Sequence, residues 1–102
     1  MSASSAAPPR AVVCTLAQHC LHLDVEPGPN ALLRVLEPFV IHDVMPCRID
    51  LAPEGGEDGA VRIDIHFSAP SPLAERLEGR LAASVVVRAA RLVSARDWSE
   101  AA

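Results

Sequence analysis

Apolar and polar residues alternate with a period of two in several stretches of this chain and recur at helical spacing in two others. Over residues 18–25, His19, Leu21, Leu23 and Val25 fall on one face and Gln18, Cys20, His22 and Asp24 on the other, the pattern of a half-buried strand. A Pro/Gly/Asn turn follows, and from Asn30 the residues Leu32, Val35, Leu36 and Phe39 mark one face of a helix reaching about His42. Asn30 is the expected helix cap, and Pro38 predicts a kink or early fraying. A second strand opposes Met45, Cys47, Ile49 and Leu51 to Pro46, Arg48 and Asp50, and Pro46 places it at a sheet edge.

Residues 53–59 read as an acidic, glycine-rich hairpin loop. In the third strand Val61, Ile63, Ile65 and Phe67 face a core while Arg62, Asp64 and His66 face out. Ser71 as cap and Pro72 at the first helical position predict a second helix, with Leu73, Leu77 and Leu81 as its buried stripe. Gly79 inside that helix points to a close approach to the sheet or the other helix. The last strand covers residues 85–93; Arg88 and Arg91 break its alternation and predict a bulge near Ala89 and Ala90. The order β-α-β-β-α-β predicts an α+β, ferredoxin-like fold, a four-stranded antiparallel sheet with two helices on one face. Residues 1–16 read as a tail, disordered at least to residue 10, residues 17–94 as the domain, and residues 95–102 as a second tail containing Trp98.

Composition narrows the function. Half of the 102 residues are apolar, enough for one core. A net charge of −4 and only three aromatic residues argue against a nucleic-acid surface, which needs positive charge and stacking faces. All nine basic side chains are arginine, which excludes a lysine nucleophile. Cys14, Cys20 and Cys47 have neither zinc-knuckle nor dithiol spacing. With no secretory signal and no apolar run long enough to span a bilayer, the expectation is a cytoplasmic protein with free thiols and no membrane partner.

The first turn is the leading candidate site. A strand that ends at a helix N-terminus presents unpaired amides able to hold a small anion, although most such turns serve only connectivity. Cys20, His22 and Asp24 project from one strand face, with His66 on an adjacent strand, and are fit ligands for zinc or copper. Side chains two apart on a strand stand about 6–7 Å apart, so a solvated or dimer-covered polar face is preferred to a metal centre. The charges of Arg48, Asp50, Arg62, Asp64 and Arg88 read as cross-strand ion pairs, and the acidic loop lacks the alternating oxygens of a calcium site. No nucleophile–base–orienter set is legible. Neither enzymatic activity nor a cofactor or metal is expected.

The run from Val25 to Val35 resembles the strand–turn–helix of ACT domains, which typically read Val-Glu-Asn-Glu-Pro-Gly-Ala-Leu-x-Arg-Val. The likeness continues from residue 21 to residue 93 and is greatest with the short stand-alone type, such as the regulatory small subunits of acetolactate synthase. It implies a regulatory module that forms a homodimer, modulates a partner enzyme of amino-acid metabolism and binds an amino-acid effector. The implied ligand positions are Pro27, Gly28, Pro29, Asn30, Ala31 and Leu32 in the turn, and Val44 and Met45 after the first helix. The family's turn asparagine corresponds to Pro27 and its glycine to Asn30; a second asparagine corresponds to Met45, and the glycine two residues earlier to Asp43. Pro27 and Met45 lack the side-chain amides that grip an amino acid's charged ends. The alternative is a structural dimerisation subunit with a degenerate pocket and no ligand.

Overall fold

Strand β1 (Ala17–Val25) leads through the proline-rich turn into helix α1 (Pro29–Ile41) and then strand β2 (Arg48–Ala52). Strand β3 (Val61–Ala69), helix α2 (Ser71–Ala82) and strand β4 (Val87–Ser94) complete the chain. This computed structural model describes residues 17–55 and 59–94; the two expected tails, Cys14, Trp98 and the middle of the acidic loop lie outside them. The strands pair antiparallel in the order β2-β3-β1-β4, giving the expected ferredoxin-like βαββαβ fold, with β2 at an edge.

Alternation makes the core. Leu21, Leu23 and Val25 of β1 and Ile63, Ile65 and Phe67 of β3 bury one sheet face, and Val35 and Phe39 of α1 and Ala74, Leu77 and Leu81 of α2 cover it. Phe39 meets Phe67 edge-on with ring centroids 5.2 Å apart, a favoured aromatic geometry. His19 shares the buried face; its Nε2 lies 3.2 Å from the Ala69 carbonyl, within donating distance.

Several local details differ from the sequence expectation. Gly28, not Asn30, caps α1, with φ of 127° and no side-chain cap bond, and Asn30 lies exposed in the first turn. Pro29 takes the first helical position, where its fixed φ suits the helix and its missing N–H costs nothing, and it keeps Gly28 out of the helical region. At α2 the cap is Pro70 and Ser71 is already helical. The second strand begins only at Arg48; Met45 is 85% exposed, and Ile49 and Leu51 remain 41% and 47% exposed because no helix covers the edge. The bulge falls at Arg88, one residue before Ala89: Asp24 pairs with Ala89 and Val25 with Val87, so Arg88 is the extra residue. Gly79 is exposed, with nothing within 4 Å of where a Cβ would stand, so no close approach requires it.

The end of α1 has a complete glycine-type stop without glycine. His42 is the C-cap and Asp43 takes a positive φ of 56°. The Val44 amide donates to the Phe39 carbonyl at 2.8 Å and the Asp43 amide to the Val40 carbonyl at 3.1 Å, the two bonds of a Schellman motif. Aspartate is among the few side chains that tolerate this backbone region.

Candidate functional site

Two places gather chemistry. The first is the β1–α1 turn. Val25, Glu26, Gly28, Pro29, Leu32, Leu51, Val61 and Ile63 line a cavity of about 280 Å³ there. Its walls are apolar except at Glu26. Arg88 Nε donates to Glu26 Oε2 at 2.7 Å and Arg88 Nη2 to Oε1 at 3.1 Å, a two-pronged pair that the bulge at Arg88 brings into reach. The hydrogen bond and charge of Arg88 hold the Glu26 carboxyl below the usual carboxylate range.

Of the residues singled out from sequence, Gly28, Pro29 and Leu32 line this cavity. Pro27, Asn30 and Ala31 belong to the same turn but not to the lining. Pro29 has no amide to offer, and the Ala31 amide is already bonded to the Gly28 carbonyl at 3.2 Å. Val44 and Met45 lie past the far end of α1, a helix of 13 residues and therefore roughly 20 Å long. One chain alone does not bring them to the turn. Leu51, Val61 and Ile63 complete the cavity and were not legible as site residues, because β2 and β3 reach the turn only through sheet pairing.

The second place is the open face of the sheet. Cys20 stands directly opposite His66, and His22 directly opposite Asp64, so β1 and β3 present four potential ligands as two neighbouring cross-strand pairs. Cys20 Sγ lies 3.7 Å from His66 Nε2 and 4.0 Å from His22 Nδ1. His22 Nδ1 is 2.7 Å from Asp64 Oδ1. The ligand atoms of Cys20, His22 and Asp64 all lie within 4.8 Å of one another. Asp24 is not part of the set; its cross-strand neighbours are Arg62 and Ala89. Asp64 takes the place expected for it, a pairing that only the β1–β3 register reveals.

Around this cluster run ion pairs, but the two arginine pairs lie along a strand rather than across strands as expected. Arg48 Nε lies 3.0 Å from Asp50 Oδ2, Arg62 Nε 3.4 Å from Asp64 Oδ1, and His66 Nε2 3.7 Å from Asp50 Oδ2. Arg88 belongs instead to Glu26. Although Cys20 projects from the open face, it is only 1% exposed. Burial, reinforced by the carboxylates of Asp64 and Asp50, pushes its thiol up to about 11. Cys47, by contrast, is exposed, its Sγ 3.3 Å from the His66 carbonyl oxygen. Among the described residues, no helix is long and apolar enough to cross a membrane.

No family model and no curated protein matches the chain. Among solved structures it is similar to the ACT domain from GTP pyrophosphokinase of Chlorobium tepidum, with TM-score 0.62 and 12% identity over 78% of this chain and 88% of that one. It is also similar to the C-terminal domain of the MgtC protein from Mycobacterium tuberculosis, with TM-score 0.61 and 17% identity over the same shares. At such identities the likeness speaks for architecture, and the architecture is an ACT-type ferredoxin-like fold.

Proposed function

We propose that this chain is a non-catalytic, ACT-like regulatory module of the cytoplasm that works as a homodimer and modulates a partner enzyme of amino-acid metabolism. The observation that carries the reading is an unpartnered apolar flank on an ACT-type fold. Leu33, Val40 and Ile41 are 67%, 76% and 58% exposed and, at helical spacing, form a second apolar stripe on the side of α1 turned away from its buried one. Ile49 pairs with Ile65 and Leu51 with Ile63 on the core side of the sheet, at an edge left open. Sheet edges of this kind are normally covered, and an isologous contact places the same edge of a second copy against it.

Such a dimer also offers a route to a composite effector site. The turn and cavity of one protomer would meet the α1–β2 connection of its partner, so that Val44 and Met45 act across the interface. The apolar walls suit the side chain of an amino acid or small acid, with Glu26 and Arg88 supplying opposite charges nearby. The resemblance to the regulatory small subunits of acetolactate synthase supports the choice of partner class.

A specific feature favours the second reading, a structural dimerisation subunit without a ligand. Pro29 and the Ala31–Gly28 bond remove donors from the turn, and Pro27 and Met45 bring none in their side chains. Light scattering at high micromolar concentration is expected to report a dimer, and the Ile49→Arg/Leu51→Arg variant a folded monomer. A monomeric wild-type protein would overturn the proposal. With the dimer established, thermal shifts across a panel of amino acids and small carboxylic acids separate the readings. A raised midpoint supports the effector site; an unmoved one supports the structural subunit.

A further inference from the structure

We propose that Cys20, His22, Asp64 and His66 form a binding site for a divalent transition ion of the zinc class, which staples β1 to β3 on the open face of the sheet. The donor set is one thiol, two imidazoles and one carboxylate. These are the ligand types of tetrahedral zinc sites, and sulfur and nitrogen donors disfavour magnesium or calcium.

Distance is the decisive test of such a set. Metal–ligand bonds of about 2.0–2.3 Å place tetrahedral donor atoms roughly 3.3–3.8 Å apart. Cys20 Sγ to His66 Nε2, at 3.7 Å, already falls in that range, and Cys20 Sγ to His22 Nδ1, at 4.0 Å, lies just outside it. Cys20, His22 and Asp64 are the mutually close trio, and His66 joins them from the Cys20 side by turning its ring toward the ion. His22 Nδ1 and Asp64 Oδ1, at 2.7 Å, are as close as a shared proton holds them. An ion that displaces this proton needs them to separate by roughly 0.6–1.1 Å, a rotamer adjustment at part-exposed side chains.

The sheet makes the arrangement rigid. The two cross-strand pairs lie in the interior of the two central strands, flanked by β4 and β2, so the backbone positions of all four ligands are set by ladder hydrogen bonds. The 6–7 Å spacing along a strand does not forbid the site, because ligands come from two strands and their side chains lean together. The nitrogen that faces Cys20, His66 Nε2, also lies 3.7 Å from Asp50 Oδ2, a contact it exchanges for the ion on binding. With four protein ligands and no position reserved for water, such a site is structural or metal-sensing rather than catalytic.

The test uses the full chain with Cys14→Ser and Cys47→Ser, so that Cys20 is its remaining thiol. After treatment with a chelator, the protein is titrated with Co²⁺ and then with competing Zn²⁺. Expected are a thiolate-to-cobalt charge-transfer band, the visible absorption of tetrahedral cobalt, their loss on adding Zn²⁺, and a melting temperature that rises with Zn²⁺. His22→Gln and His66→Gln should each weaken binding by at least about tenfold, the loss typical even for groups that only support a ligand. Asp24→Asn, on the same face but outside the set, should bind as the parent does. The two histidines are part-exposed, so far-UV circular dichroism is expected to show their variants folded, which a buried Cys20→Ser change does not guarantee. Absence of the charge-transfer band, or equal affinity in the folded His22→Gln and His66→Gln variants, would overturn the assignment.

Discussion

His22 and Asp64 face each other across β1 and β3 as a directly opposed pair, with Nδ1 and Oδ1 2.7 Å apart. Both side chains are about one-quarter exposed. Asp64 also has Arg62 at 3.4 Å, which offsets the like charge of Asp50 directly opposite it. A double-mutant cycle of His22→Ala and Asp64→Ala in chelator, read by urea unfolding, should give a favourable coupling of about 0.5–1 kcal/mol, the scale of cross-strand and partly exposed pairs. Strict additivity would show that the pair does not interact in solution.

The core prediction contrasts two strands. Ile63 and Ile65 are 1% and 0% exposed in β3, and truncating either to alanine should cost about 2–5 kcal/mol through lost burial and a residual cavity. Ile49, opposite Ile65 on the open edge, should cost less than half as much under conditions where the protein is monomeric. Equal losses at Ile49 and Ile65 in urea titrations would mean that the edge is covered within a single chain.

Two glycines should respond in opposite directions. Gly79→Ala places a methyl in open space on an exposed helix position and should stabilise by about 0.5–1 kcal/mol. Gly28→Ala meets no steric neighbour either, yet its φ of 127° is one that alanine resists, so this change should lower the melting temperature. Calorimetry of the two variants settles the matter, and a stabilised Gly28→Ala would contradict the turn geometry.

Arg88 lowers the pKa of Glu26, so folding favours the ionised carboxylate. Stability from this pair is therefore present above the ordinary carboxylate range and disappears as pH falls through the depressed value. Comparing wild type with Glu26→Gln, the melting temperatures should differ at neutral pH and converge in acid. The gap should also narrow with added salt, because the pair is exposed. A gap that widens toward low pH would refute the assigned interaction.

What the chain determined by itself was the part of the structure written in local periodicity. Period-two alternation at Leu21, Leu23 and Val25 and at Ile63, Ile65 and Phe67 marks the buried sheet face without reference to any partner, since neighbouring side chains on a strand must point to opposite sides. Helical spacing at Val35 and Phe39 and at Leu77 and Leu81 does the same for the covering layer. Element order then leaves few topologies, and the ferredoxin-like sheet is among them. Tertiary structure decided which residues meet across long separations. Cys20 reaches His66 across 46 positions and His22 reaches Asp64 across 42, a pairing set by strand register that would invert with a one-residue slip. It exchanged Asp24 for Asp64 in the ligand cluster and moved the bulge to Arg88, where the extra residue lets a guanidinium reach Glu26. It also set Gly28 and Met45 at opposite ends of α1, because a helix holds its two ends apart however close they lie in the chain.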